Sequence, residues 1–305
     1  MRMLSSIAQP ASRAGGTAPA QEASNAQVLE RRIGDLMRVP CQLTDKHVEW
    51  ILNHQRENDL RFGESAIELG LARREDVLWA LSQQFHYPYA IDEKQVNPEL
   101  VIAASPFSDE AEAFRELRSQ LLMGVMAPDA PRRALAVVSP DVGDGKTYLA
   151  SNIAAAFSQL GGPTLFMDAD MRTPRSQDVF GITLNRTGLS AMLSGRAEDG
   201  LIQRSSQLPS LFVLPVGAIP PNPLELIQRP AFALLIKEMV GKFDHVVVDT
   251  PASTHGADAR AIAALCGAVL VVGRRGRTKM KSLNRLVSAL AKGPAELAGV
   301  VMNEH

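Results

Sequence analysis

Apolar and polar positions change rhythm along the chain. Between residues 133 and 305, short apolar runs at 134–138, 164–167, 211–214, 245–248, 268–272 and 299–301 alternate with stretches whose apolar residues recur every three or four positions. Runs this short and rich in β-branched residues predict strands, and the stretches between them predict helices. Strands alternating with helices predict an α/β fold: a mostly parallel sheet with helices on both faces and ligands at the carboxyl ends of the strands. Just upstream, Ala111, Phe114, Leu117 and Leu121 keep helical spacing behind Ser108, an N-cap followed by acidic residues in the first turn.

Nearer the N-terminus the pattern repeats. RIGDLMRVPCQLTDKHVEWILNHQ begins at Arg32 and RFGESAIELGLARREDVLWALSQQ at Arg61, a shift of 29 positions. The shift places Arg32 on Arg61, Gly34 on Gly63, Trp50 on Trp79 and Gln55 on Gln84. Each copy predicts a short helix, a turn and a longer helix, the first of the longer helices capped by Thr44. Two copies are too few for a solenoid, so they predict a small helical domain over residues 27–92. Residues 1–26 hold too few large apolar side chains to offset the entropy of ordering, and are expected to be disordered. Residues 93–107, with two prolines and mixed polarity, read as a linker, which leaves 108–305 as the α/β domain.

Composition narrows the classes. A chain of 305 residues accommodates two domains with real cores, and a net charge of −1 gives no electrostatic case for nucleic acid as the main partner. Cys41 and Cys266 form neither a disulfide framework nor a metal spacing. No apolar run reaches the roughly 18 residues of a spanning helix. A cytoplasmic protein is expected, one that meets a membrane only by docking on a membrane protein.

The chemistry gathers at the strand ends. After the first run, SPDVGDGKT leads into a helix pattern from Lys146, the order of strand, phosphate loop and helix. Gly143 and Gly145 let the backbone curl, so that N–H groups over Gly143, Asp144, Gly145, Lys146, Thr147 and Tyr148 can converge on one anion at the helix dipole. Lys146 would reach the β- and γ-phosphates, and the Thr147 hydroxyl would sit on Mg²⁺. FMDADMR places Asp168, Asp170 and Arg172 at the end of the second strand, and HVVVDTP places Asp249 at the end of the fourth. Carboxylates there can hold the waters of a magnesium ion, and one of the acidic pair is free to orient or deprotonate an attacking hydroxyl. Glu112, Arg115 and Arg118 share a helical stripe. The basic run 273–281, GRRGRTKMK, reads as a solvated loop before the last helix, with lining the nucleotide or meeting acidic surfaces of a partner as the other reading.

Two resemblances follow from these motifs. The tandem copies resemble the MshEN domain of secretion and pilus ATPases, with Cys41 and Phe62 departing from its pattern. That resemblance implies a possible cyclic di-GMP site at Arg32, Gly34, Gln55, Arg61, Gly63 and Gln84; a purely structural docking domain is the other reading. The phosphate loop, D-x-D-x-R at 168–172, VVVD at 246–249 and E-x-x-R-x-x-R upstream resemble the cytoplasmic domain of bacterial tyrosine kinases, with GLSAMLSGR and LPVGAIPPNPLELI favouring the EpsG chain-length-determinant type. It implies ATP and Mg²⁺ as cofactors, with Lys146 and Thr147 on ATP-Mg, Asp168 as base toward a tyrosine, Asp170 and Asp249 at the metal, and Asn303 near adenine. It further implies a homo-oligomer joined through Glu112, Arg115 and Arg118, activated by a transmembrane polysaccharide copolymerase in exopolysaccharide export. The tyrosines are Tyr87, Tyr89 and Tyr148, with no cluster at the end of the sequence, so the phosphoacceptor is left open. The competing readings are a deviant-Walker ATPase, whose early signature lysine is replaced by Asp141 and Val142, and a non-catalytic adaptor sensing cyclic di-GMP.

Overall fold

The computed structural model describes residues 33–84, 96–182, 187–196 and 200–304, which fall into two compact units. The expected tail 1–26 lies outside the described residues, as do Arg32, Tyr87 and Tyr89.

Among the described residues the first unit holds four helices: α1 (Ile33–Arg38), α2 (Asp45–Asn58), α3 (Phe62–Glu68) and α4 (Arg74–Gln84). Each copy of the repeat is a short and a longer helix, as its pattern predicts. Thr44 caps α2 by accepting the His47 N–H at 3.3 Å, and His47 Nδ1 accepts the Thr44 N–H in return. The copies interlock, α1 packing on α4 and α2 on α3, around buried Met37, Ile51, Ala66 and Ala80. Close packing explains the repeated glycines. A Cβ on Gly63 would lie 2.4 Å from Val77 Cγ1, and one on Gly34 would lie 3.1 Å from the Phe62 ring.

The second unit is a seven-stranded sheet of β1 (Ala134–Val138), β2 (Thr164–Asp168), β3 (Gln203–Arg204), β4 (Leu211–Leu214), β5 (His245–Asp249), β6 (Gly267–Arg274) and β7 (Glu296–Asn303). Their order is β3-β4-β2-β5-β1-β6-β7, parallel except for the β3–β4 pair. β1 lies between β5 and β6, so the chain leaves it toward β2 on one side while the β5–β6 connection crosses to the other. Ligands collect at the strand ends beside such a switch.

Both faces of the sheet are covered, and its central strands β1 and β2 are buried at every position. Leu135, Val137, Phe166 and Val247 face α5 (Val101–Ala104), α6 (Asp109–Met123) and α7 (Lys146–Ser158). Three short helices follow, α8 (Ser176–Phe180), α9 (Leu189–Leu193) and α10 (Pro223–Ile227). Ala136, Val138, Met167 and Val248 face α11 (Pro230–Lys242), α12 (Asp258–Cys266) and α13 (Met280–Leu290). Leu189 and Ser190 of the GLSAMLSGR segment donate their N–H groups to the carbonyls of Pro215 and Val216, which ties it to LPVGAIPPNPLELI.

The linker reading fails over 96–107. Val96, Leu100, Val101, Ile102 and Ala103 are buried in the core that α7 shares with the sheet. Asn152 of α7 fixes them: its Oδ1 accepts the Ile102 N–H at 3.1 Å, and its Nδ2 donates to the Glu99 carbonyl at 2.7 Å. Ile102→Ala is therefore expected to lower the stability of this unit by about 2–5 kcal/mol, measurable by urea unfolding. A free linker would show no change.

Candidate active site: a phosphate loop ringed by strand-end carboxylates

β1 ends at Val138, and the chain turns through Gly143 and Gly145 at φ of 82° and 93° before α7 starts at Lys146. These left-handed conformations admit glycine at little cost, which lets the loop curl around an anion at the N-terminus of α7. Two groups brace the curl. The Asp144 carboxylate accepts the Asp141 N–H at 2.9 Å and the Thr278 hydroxyl at 2.7 Å, so this fully buried residue offers a ligand its main chain. Asn303 Nδ2 donates to the Asp144 carbonyl at 3.3 Å, setting its amide over Gly145.

Lys146, only 6% exposed, reaches back along the loop to Ser139 Oγ at 3.2 Å. The Thr147 hydroxyl donates to Asp249 Oδ2 at 2.5 Å. Asp249 stands opposite Asp168 in the β2–β5 register, and neither is exposed. Burial pushes the Asp249 carboxyl well above its ordinary range, reinforced by the charge of Asp168. Burial likewise raises Asp168, to about 6, although its carboxylate accepts the N–H groups of Asp170 and Ser176 at 3.0 and 3.1 Å. Asp170 accepts the N–H groups of Arg172 and Thr173 and the Thr173 hydroxyl, and it lines a cavity of about 650 Å³ with Lys146 and Thr147. Asp168 lies beside it, sealed from solvent.

Tyr148 also lines this cavity, half-buried, with its hydroxyl on Glu110 and its ring edge-on to Phe114 at 5.6 Å. Burial and Glu110 together raise its pKa. Asn303 lines the cavity as well.

Several residues of the site carried no sequence signal. Glu99 and Arg175 line the cavity and pair with each other, Arg175 Nη2 lying 2.7 and 3.0 Å from the two carboxylate oxygens. Arg172 is held by Asp258, at 2.5 Å from Nε to Oδ2, and Asp258 is 1% exposed at the start of α12. The basic run is not simply a solvated loop. Arg274 donates to the Gly143 carbonyl at 3.3 Å and lines the cavity, Arg277 lies over Gly143, and Thr278 holds Asp144.

Of the other expected residues, Glu112 is exposed and pairs with Arg115 at 2.8 Å. Arg115 also bonds the Pro106 carbonyl, and Arg118 Nη1 donates to the Ala156 carbonyl near the end of α7 at 2.7 Å. In the first unit, Arg61 is exposed with its N–H on Glu64 at 2.8 Å, Gln55 is half-buried, and Gly34 and Gly63 lie at helix contacts. Gln84 ends α4.

The donor set suits a magnesium nucleotide. Among the described residues no three His, Cys, Asp or Glu side chains form a ready metal cage. An ion here must draw most of its ligands from phosphate oxygens and water, the usual habit of Mg²⁺. Thr147 with Asp249, the cavity-facing Asp170 and the Lys146 ammonium match that division.

No protein-family model matches the chain. It is 29% identical over 195 residues to the tyrosine-protein kinase CpsD of Streptococcus agalactiae, an alignment covering 64% of this chain and 85% of that one. Among solved structures it is similar to the chimerical protein CapA2B2, at 30% identity and a TM-score of 0.64 over 76% of this chain and 99% of that one. It is also similar to the kinase domain of the Escherichia coli tyrosine kinase ETK, at 29% identity and a TM-score of 0.62 over 67% and 79%. Likeness in sequence and in backbone, over nearly the full length of CpsD and CapA2B2, points one way: the chain belongs to the bacterial tyrosine-protein kinases.

Proposed function

We propose that the protein transfers the γ-phosphoryl group of ATP to a protein tyrosine and thereby regulates the polymerisation, chain length and export of an exopolysaccharide. The observation that carries this reading is the convergence of Lys146, Thr147 and three strand-end aspartates on one phosphate loop. In the reaction the loop amides and Lys146 hold the β- and γ-phosphates, and Thr147 is kept in place by Asp249. Bound Mg²⁺ would neutralise charge on the phosphates, with Thr147, Asp170 and Asp249 holding it or its waters. Asp168, sealed from solvent in the free chain, accepts the tyrosine proton once the bound substrate has a path to it.

The two acids of the pair can be told apart. Asp170→Asn is expected to raise the Mg²⁺ concentration needed for half-maximal rate. Asp168→Asn is expected to lower kcat by about 10²–10⁴-fold at saturating Mg²⁺. The opposite pattern would exchange their roles.

No helix among the described residues is long and apolar enough to cross a membrane. In this reading a transmembrane polysaccharide copolymerase supplies the membrane contact and activates the kinase at the cytoplasmic face. The chain self-associates through Glu112, Arg115 and Arg118, of which Glu112 is the most exposed. Incubating the full chain with ATP-Mg and membranes holding such a copolymerase should yield phosphotyrosine. ADP released with no phosphotyrosine would replace this reading with that of an ATPase.

The first unit is assigned as an MshEN-like domain. Its cyclic di-GMP reading is tested by titrating that nucleotide into the full chain and into Arg61→Ala, with about tenfold weaker binding expected in the variant. Equal affinity, or no binding, would leave the unit as a docking domain.

A further inference from the structure

A second cavity, of about 430 Å³, abuts the first half of the phosphate loop. Pro140 and Asp141 form one wall, the turn after β5 another, and α12 and α13 contribute Arg260 and Arg285. Both arginines are exposed, and neither has an ion-pair or hydrogen-bond partner among the described residues. Ser253, Thr254 and Ser282 add hydroxyl groups, and Asp141 is the one acidic side chain in the lining. Two guanidinium groups against one carboxylate leave the cavity net positive. The start of α12 has no side-chain cap, and the carboxylate in its first turn, Asp258, is paired with Arg172.

Its position relates it to phosphoryl transfer. The carbonyls of Ser139 and Pro140 accept the N–H groups of Ser253 and Thr254 at 2.9 and 3.0 Å, so the loop and the cavity share a wall. Lys146 points to that end of the loop, at Ser139. The lysine of a phosphate loop reaches the β- and γ-phosphates, which puts the terminal phosphate nearest the shared wall. A tyrosine brought to that phosphate must lay its neighbouring residues close by.

We infer that this cavity receives an acidic peptide segment flanking the acceptor tyrosine, with Arg260 and Arg285 holding its carboxylates. The planar fork of arginine suits carboxylates, and charge complementarity at a rim sets specificity and encounter. The inference rests on the kinase reading above, and its test separates the two.

A labelled peptide carrying phenylalanine in place of the acceptor tyrosine, flanked by glutamates, is compared with the same peptide flanked by glutamines. Binding to the full chain is read by fluorescence anisotropy with Mg²⁺ and a non-hydrolysable ATP analogue. Wild type should prefer the glutamate peptide. Arg260→Ala with Arg285→Ala should weaken that peptide on the order of 10- to 100-fold and leave the glutamine peptide unchanged. With tyrosine restored, KM should rise in parallel while kcat and peptide-free ATP hydrolysis hold. Equal binding of both peptides by wild type, or a preference that survives in the double variant, overturns the subsite alone. Arginine-dependent binding with no phosphotyrosine formed overturns the acceptor role and the kinase reading together.

Discussion

Lys146→Met should abolish most phosphotyrosine formation, a fall of roughly 10²–10³-fold, in a protein that still folds. The two halves of that expectation have separate causes. The ammonium group is nearly buried and, among the described residues, bonds the Ser139 hydroxyl, so methionine fills its space at little cost in packing. The fold should melt near the wild-type temperature, because removing a desolvated charge offsets the loss of its attraction for the buried Asp249 carboxylate. Transfer fails because the cation that offsets charge on the β- and γ-phosphates is gone, and nearby Arg274 is occupied with the Gly143 carbonyl. Phosphotyrosine immunodetection beside a thermal melt reads both effects. Equal signal in the two proteins would contradict the kinase assignment.

Gly145→Ala should weaken ATP binding by roughly 5- to 150-fold, the equivalent of about 1–3 kcal/mol of strain. Two penalties coincide there. At φ of 93° an alanine is strained in itself, and its methyl carbon would stand 2.2 Å from Asn303 Nδ2. The amide can swing away only by releasing the Asp144 carbonyl, which loosens the loop. A cycle with Asn303→Ala separates the terms. Any contact of Asn303 with adenine appears in the single variant, while the steric term appears only as coupling between the two. Wild-type affinity in Gly145→Ala, measured by calorimetry, would show that the loop is not the nucleotide site.

Local pattern carried the sheet and the loop. The runs at 134–138 and 211–214 coincide with β1 and β4, and the others differ from their strands only at the ends. Position along the chain was enough to put Lys146 and Thr147 where the turn becomes a helix, and Asp249 at a strand end. What escaped detection depends on partners distant in sequence. Residues 96–107 read as linker because their prolines and mixed polarity hide a short buried stretch whose hydrogen bonds come from Asn152, some fifty residues on. Asp258 carries no motif, and its importance lies in being the buried partner of Arg172. β3 has two residues and no apolar run, so periodicity had nothing to register. The basic run was misjudged because charge alone does not tell whether a loop folds back, as Thr278 does onto Asp144.

The exchange of partners within the four-helix unit bears on how such a unit can be handled and inherited. Because the short helix of either copy rests on the long helix of the other, half of the unit would have no shelter for Met37 or Ala66. A fragment ending near residue 60 should pair with a second molecule or stay unfolded. An ancestral single copy would have met the same choice, so a dimer of half-units is the natural precursor of this duplicated one.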